Sequence, residues 1–247
     1  MAKGDNLPTV WPRPPHTKAK HDILTRYLGA WFGIFGLSKY HQRVNMLDGF
    51  AGPGRYDDDE PGSPVLTLNT LLDHQAFARF GGTTFNFIFN ERDRPRFSSL
   101  QDVLADVKAN RTPWPKNVQV IERNQNFQTL ARELLDSIPA GMQLAPTFAF
   151  VDPFGYKDVP MALIRDLVIH PSCELFIYFD FNSVNRFANA GVVDPLFTAL
   201  FGCDEYKNAP SADAGRGQFI HDLYKRQLRQ ELHERAVWKC ALLLLVR

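Results

Sequence analysis

The chain has 247 residues, 45% of them apolar, and a formal net charge of +1. That is material for one sizeable α/β domain, and the near-zero charge removes a global electrostatic case for nucleic-acid binding. Cys173, Cys203 and Cys240 lie far apart without metal-ligand spacing, and no apolar run reaches the length of a membrane span. The expectation is therefore a cytoplasmic protein in a reducing compartment, with no signal peptide, no membrane partner and no resident metal.

Residues 1–15 hold Pro8, Pro12, Pro14 and Pro15 and read as an extended or disordered segment that packs Trp11. Residues 16–247 read as a single domain. His16 to Phe35 is expected to be a helix, because Ile23, Leu24, Tyr27, Leu28, Trp31 and Ile34 form an apolar stripe at three- and four-residue spacing. Its first turns carry Lys18, Lys20, His21 and Arg26. A solvated face is the preferred reading over a helix offering charge to a carboxylate or phosphate.

Val44 to Leu47 is the first expected strand, followed by Asp48-Gly49-Phe50-Ala51-Gly52-Pro53-Gly54. Gly52 and Gly54 remove Cβ atoms where a ligand can approach the backbone, and Ala51 is small. Asp48, at the strand end, suits a cationic or hydroxylated ligand. Asp57 to Glu60 is a run of four acids. Consecutive residues converge poorly on one ion, so a solvated loop is expected. Ser63 and Pro64 are expected to cap and open a helix reaching Phe80.

Thr84 to Asn90 is the second expected strand, and Glu91 ends it. An acid there holds ribose hydroxyls in Rossmann-like folds; the alternative is a surface ion pair with Arg92 or Arg94. Pro95 to Ala109 follows as a helix and Asn117 to Ile121 as a strand. Asn124 and Asn126 then either read an adenine edge or cap the helix that runs to Ser137. Pro146 to Val151 is a wholly apolar strand that delivers Asp152-Pro153-Phe154-Gly155. A helix over Pro160 to Ile169 and a strand over Cys173 to Phe179 come next. After a polar helix and a Pro195 to Phe201 helix, Gly202, Pro210, Gly215 and Gly217 mark a loop. Gln218 to Ala236 reads as a helix and Val237 to Val246 as a final apolar strand. The alternation predicts a doubly wound, mostly parallel α/β sheet.

The Asp-x-Phe-x-Gly-x-Gly run resembles motif I of class I S-adenosylmethionine (AdoMet) methyltransferases. The ordered strand ends resemble the places where those enzymes hold the methionine part (Asp48, Phe50, Ala51, Gly52, Gly54), the ribose (Glu91), the adenine (Asn124, Asn126) and the methyl acceptor (Asp152, Pro153, Phe154, Gly155). More specifically, Lys20-His21, Tyr27-Leu28, Leu47 to Gly54, Gly62-Ser63-Pro64 and Val151 to Gly155 resemble the bacterial three-Cys-motif partner protein family. That resemblance spans roughly residues 11 to 200.

The resemblance implies a Rossmann-like methyltransferase fold, AdoMet as cofactor and a protein partner that carries the three-Cys motif. Asp-Pro-Phe-Gly departs from the Asp/Asn-Pro-Pro-aromatic pattern of base amino-methyltransferases. It is closer to the Asp-Pro-Tyr/Phe-Gly of tRNA guanine-N2 dimethyltransferases, which implies an exocyclic base amine as acceptor, RNA before DNA. Two other readings stand beside it: a non-catalytic AdoMet- or nucleotide-binding partner subunit, and a small-molecule methyltransferase with Phe154 and Tyr156 lining an apolar pocket. Class I methyltransferases finish with an antiparallel strand pair. Here the last strand is expected to stand as the first of that pair, with its mate missing through truncation or supplied from elsewhere.

Overall fold

The computed structural model describes residues 8–187, 194–210, 214–233 and 241–246. By contacts the chain divides into two compact units. One is built from residues 6–126 and 145–151, the other from residues 127–144 and the chain from 152 onward. The strands are parallel within each unit, in a Rossmann-like manner: Val118–Arg123, Thr84–Asn90, Arg43–Asp48 and Thr147–Val151 lie side by side in the first, and Cys173–Asp180 and Ala241–Val246 in the second.

The first unit contains β1 (Arg43–Asp48), β2 (Thr84–Asn90), β3 (Val118–Arg123) and β4 (Thr147–Val151), with α1 (Pro15–Gly36), α2 (Ser63–Leu72) and α3 (Arg94–Ala109). β1 pairs in parallel with both β2 and β4, and β2 pairs in parallel with β3. β4 is buried at every position, as a strand covered on both faces requires. On α1, Leu24, Leu28, Trp31 and Phe32 are buried, whereas Ile34 is 68% exposed. The stripe thus turns one residue earlier than expected. Phe32 takes the place assigned to Ile34 and meets Phe85 and Phe87 of β2, with ring centroids 5.9 and 5.8 Å away. Trp31 and Tyr27 reach Phe148 of β4 at 6.1 and 5.4 Å.

The helix expected to reach Phe80 stops at Leu72, and a short 3-10 turn covers Phe77–Arg79. His74 accounts for the break. Its Nδ1 accepts from the Ala76 N–H at 3.1 Å, while its Nε2 lies 3.0 Å from the Gly29 carbonyl. Phe80 then folds back on α1, where a Cβ at Gly36 would stand 2.8 Å from its ring.

The second unit contains α4 (Phe127–Asp136), α5 (Met161–Val168), β5 (Cys173–Asp180), α6 (Phe181–Phe187), α7 (Asp194–Phe201), α8 (Ala214–His233) and β6 (Ala241–Val246). Its core is aromatic. Phe179 stacks on Tyr224 at 4.2 Å, and Phe201 stacks on Tyr206 at 5.7 Å. Gly215 and Gly217 lie in α8 rather than in a loop, because the ring of Phe181 approaches to 3.1 Å of where a Gly217 Cβ would stand. β6 pairs directly and in parallel with β5, from Leu175 opposite Ala241 to Asp180 opposite Val246. Residues 237–240, expected in this strand, lie outside the described residues.

Candidate functional site

The glycine-rich loop starts where β1 ends. Asp48 is fully buried, and both its carboxylate oxygens are engaged. One accepts from the Phe50 N–H at 3.2 Å, the other from the Ser63 hydroxyl at 2.7 Å. Ser63 is therefore a brace for Asp48, and Gly62 takes the cap position of α2 in its place. Gly52 and Gly54 adopt φ of +63° and +81°, which L side chains resist. Gly54 fits against Leu100 and Val103 of α3, and its carbonyl accepts from the Gly62 N–H at 2.9 Å. The loop is thus a closed, packed turn.

Glu91 controls the same loop from the end of β2. Its carboxylate accepts from the Gly52 N–H at 3.1 Å and from the Asp93 N–H at 2.7 Å. It is 7% exposed, which removes the surface ion pair as an account of it. Burial raises its pKa; the Asp93 N–H, Arg96 and the Gly52 N–H oppose that rise. Asn124 does not cap α4. Its side-chain nitrogen donates to the carbonyls of Glu91 and Arg92, at 2.7 and 3.0 Å. Asn126 is half-buried just before α4.

Asn90 is the residue that sequence reasoning missed. It is 1% exposed. Its amide nitrogen donates to the Gly49 carbonyl at 3.1 Å, and its amide oxygen accepts from the Gln125 N–H at 3.3 Å. Its backbone carbonyl accepts from the Ala51 N–H at 2.8 Å. One side chain joins the ends of β1, β2 and β3. A lone Asn before an acid carries no pattern that announces such partners.

Residues 8–14, ahead of α1, bring Trp11 against the glycine loop. The indole of Trp11 stands 3.9 Å from the position of a Gly52 Cβ, the Arg96 guanidinium lies 5.1 Å from the indole centroid, and Tyr56 meets it edge-on. Arg13 pairs with Glu60 at 3.2 Å, and the Trp11 carbonyl accepts from the Asp57 N–H at 3.3 Å. Asp57, Asp58 and Asp59 are exposed, as expected for a solvated loop. Among the described residues no group of three His, Cys, Asp or Glu is placed to hold a metal ion.

Lys20 and His21 overturn the solvated-face reading of α1, being 4% and 5% exposed, while Lys18 and Arg26 face solvent. His21 packs against Tyr56 at 6.0 Å, and its buried Nδ1 makes no hydrogen bond. Burial first, then Lys20 and Arg13, hold its pKa down to about 4 from an ordinary 6.5; Asp22 opposes them weakly. The folded state therefore keeps His21 neutral. Its contribution to stability is complete above pH 6.5 and is lost as pH falls towards 4. In His21→Phe, urea titrations at pH 7 and pH 4.5 should show a loss about 2 kcal/mol smaller than in the parent. Glu91, with its raised pKa, acts in the opposite sense, so the difference between the two proteins is the measure. Equal losses would place His21 outside the acid transition.

In the second unit, Asp152, Pro153, Phe154 and Gly155 follow β4. Pro153 is buried, Asp152 half-buried, and Phe154 46% exposed. Gly155 adopts φ of +92° with open space around its missing Cβ. A cleft is lined by Pro153, Gly155, Tyr156, Tyr178, Asp180 and Tyr224, among others, with room for roughly one water. Tyr156 is in its lining and Phe154 is not. Burial, then Asp152 and Asp180, push the Tyr178 phenol up to about 12.

Together these features define a Rossmann-like α/β protein with a braced glycine loop after β1 and, in the second unit, a small and mainly apolar cleft with Asp180 and three tyrosines in its lining. No family model matches the chain, and no curated protein matches it. Among solved structures it is similar to “Putative methyltransferase yhhF from Escherichia coli”, with 20% identity and a TM-score of 0.33. That similarity covers 65% of this chain and 66% of the other, just under two thirds of its length. A likeness this distant carries no conclusion about activity. No helix among the described residues is long and apolar enough to cross a membrane.

Proposed function

We propose that the protein is an AdoMet-dependent methyltransferase acting on an exocyclic amine of a nucleic-acid base, RNA before DNA. One observation carries the reading: the Gly52 loop at the carboxyl end of β1 is clamped through its own N–H to an acid at the end of β2. Ligands of open α/β sheets bind outside the carboxyl ends of the strands. Both oxygens of Glu91 take one backbone N–H each, and a carboxylate has about four acceptor positions, so two ribose hydroxyls still find partners there. Asp48 serves a ligand indirectly, by holding the loop that meets it. Phe50, Ala51 and Gly54 shape that loop, and Asn124 and Asn126, which follow β3, are the residues proposed to meet the adenine.

When bound, AdoMet supplies a methyl group on a sulfonium that needs no acid catalysis. The protein's work is positioning. Asp152 accepts one N–H of the acceptor amine, turns the nitrogen lone pair outward and afterwards takes the proton that the alkylated nitrogen loses. Phe154, exposed, offers a flat face to a ring arriving from solvent. That exposure favours a base on a large molecule over a small molecule enclosed in the cleft. From the motif resemblance, a three-Cys-motif protein is the proposed partner, and the three-Cys-motif partner family the proposed family.

Calorimetry with AdoMet should show one site per chain, and tritiated AdoMet should label bulk RNA more strongly than DNA or protein. Absence of AdoMet binding would overturn the reading. Binding without label in any of the three would leave a cofactor-binding subunit in its place.

A further inference from the structure

The cleft of the second unit is lined by a tyrosine that methyl transfer itself does not use. Tyr178 lines it alongside Pro153 and Gly155, the residues on either side of Phe154, and Pro153 directly follows Asp152. Tyr156 is another phenol of the lining, and its ring is anchored on Phe197 at 4.8 Å. Asp180 is held by Ser183, whose N–H and hydroxyl both donate to its carboxylate, at 3.1 and 2.5 Å.

We propose that Tyr178 donates a hydrogen bond to the ring nitrogen beside the reacting amine, so that Asp152 and Tyr178 together read the N–H and lone-pair edge of an aminopurine or aminopyrimidine. This rests on the amine-methylation reading of the same site. The cleft has room for roughly one water, which suits the edge of a ring and not the whole ring, and Phe154, between two of its lining residues in the chain, is 46% exposed. An alkyl amine would bring no second polar atom for the phenol and no flat face for Phe154. A base brings both, with donor and acceptor side by side. The phenol's role as donor agrees with its raised pKa, since burial first, and then the neighbouring carboxylates, favour a retained proton.

The test is a chemical cycle that needs no turnover. NMR titrations compare adenosine with 1-deazaadenosine, cytidine with 3-deazacytidine and guanosine with 3-deazaguanosine; each deaza analogue keeps the amine and loses the ring nitrogen beside it. The parent should prefer one natural nucleoside over its analogue by about ten-fold, the worth of one hydrogen bond. Tyr178→Phe, which keeps ring and cleft, should bind both members of that pair at the weaker level, with AdoMet affinity unchanged. The same preference in Tyr178→Phe overturns the inference, as does a parent that binds none of the six. A parent that methylates RNA with an unchanged acceptor KM in Tyr178→Phe overturns it too, and leaves the methyltransferase reading intact. The expected binding pattern without any methyl transfer sustains the edge reading and removes the transferase.

Discussion

Asp152→Ala should leave AdoMet affinity within a few-fold of the parent and lower methyl transfer on the order of a hundred- to a thousand-fold. The residues assigned to the cofactor all lie between positions 48 and 126, and the glycine loop is held by Asp48, Ser63, Asn90 and Glu91. The Asp152 charge is felt at Tyr178 of the cleft. The substitution takes away the group proposed to orient the amine and accept its proton, while Pro153 and Gly155 keep the turn. The measurement is a single-turnover labelling rate at saturating AdoMet, with calorimetry alongside. Parent-level transfer in Asp152→Ala would remove the motif from the chemistry even in a working methyltransferase.

Gly52→Val should abolish AdoMet binding within the range of calorimetry, a loss of at least about a hundred-fold, while the chain still folds. At φ of +63° a β-branched residue sits in the left-handed region that it tolerates least, at a cost of about 1–3 kcal/mol. Its Cβ would stand 3.9 Å from Trp11, so its methyl groups would crowd the indole. The relaxation available is a backbone rotation, and that turns the Gly52 N–H away from Glu91. Gly52→Ala, without the branch, should show a smaller loss and a melting temperature between those of Val and parent. Parent-like affinity in Gly52→Val would place the cofactor elsewhere.

The first five strands were readable in the chain to within one or two residues because they are short runs rich in apolar residues, many of them aromatic or β-branched. Thr84–Asn90 appears with the expected ends, and Cys173–Asp180 gains one residue. The residues of the glycine loop were readable from the small side chains that tight turns require. Burial of charge was not. Helical spacing places Lys20 and His21 on α1 but says nothing of the N-terminal segment whose Arg13 and loop-bound Trp11 come close to that helix. Nor was the inward turn of Asp48 readable, because its partner, the Ser63 hydroxyl, lies fifteen residues away in what reads as a helix cap. The final strand was readable as a strand, but its neighbour was not, since register and direction depend on pairing rather than on composition.

The Asn90 side chain has a kinetic meaning. A single amide serves both Gly49 and Gln125, so the turn after β1 and the turn after β3 are tied to the same side chain at the end of β2. The Ala51 N–H on the Asn90 carbonyl adds a third tie at the same residue. Two turns that would otherwise breathe independently should then open as one cooperative unit, with amide protons that exchange together. A molecule that stiffens either turn would slow the opening of both. For the proposed cofactor, contact made at one turn would be felt at the other.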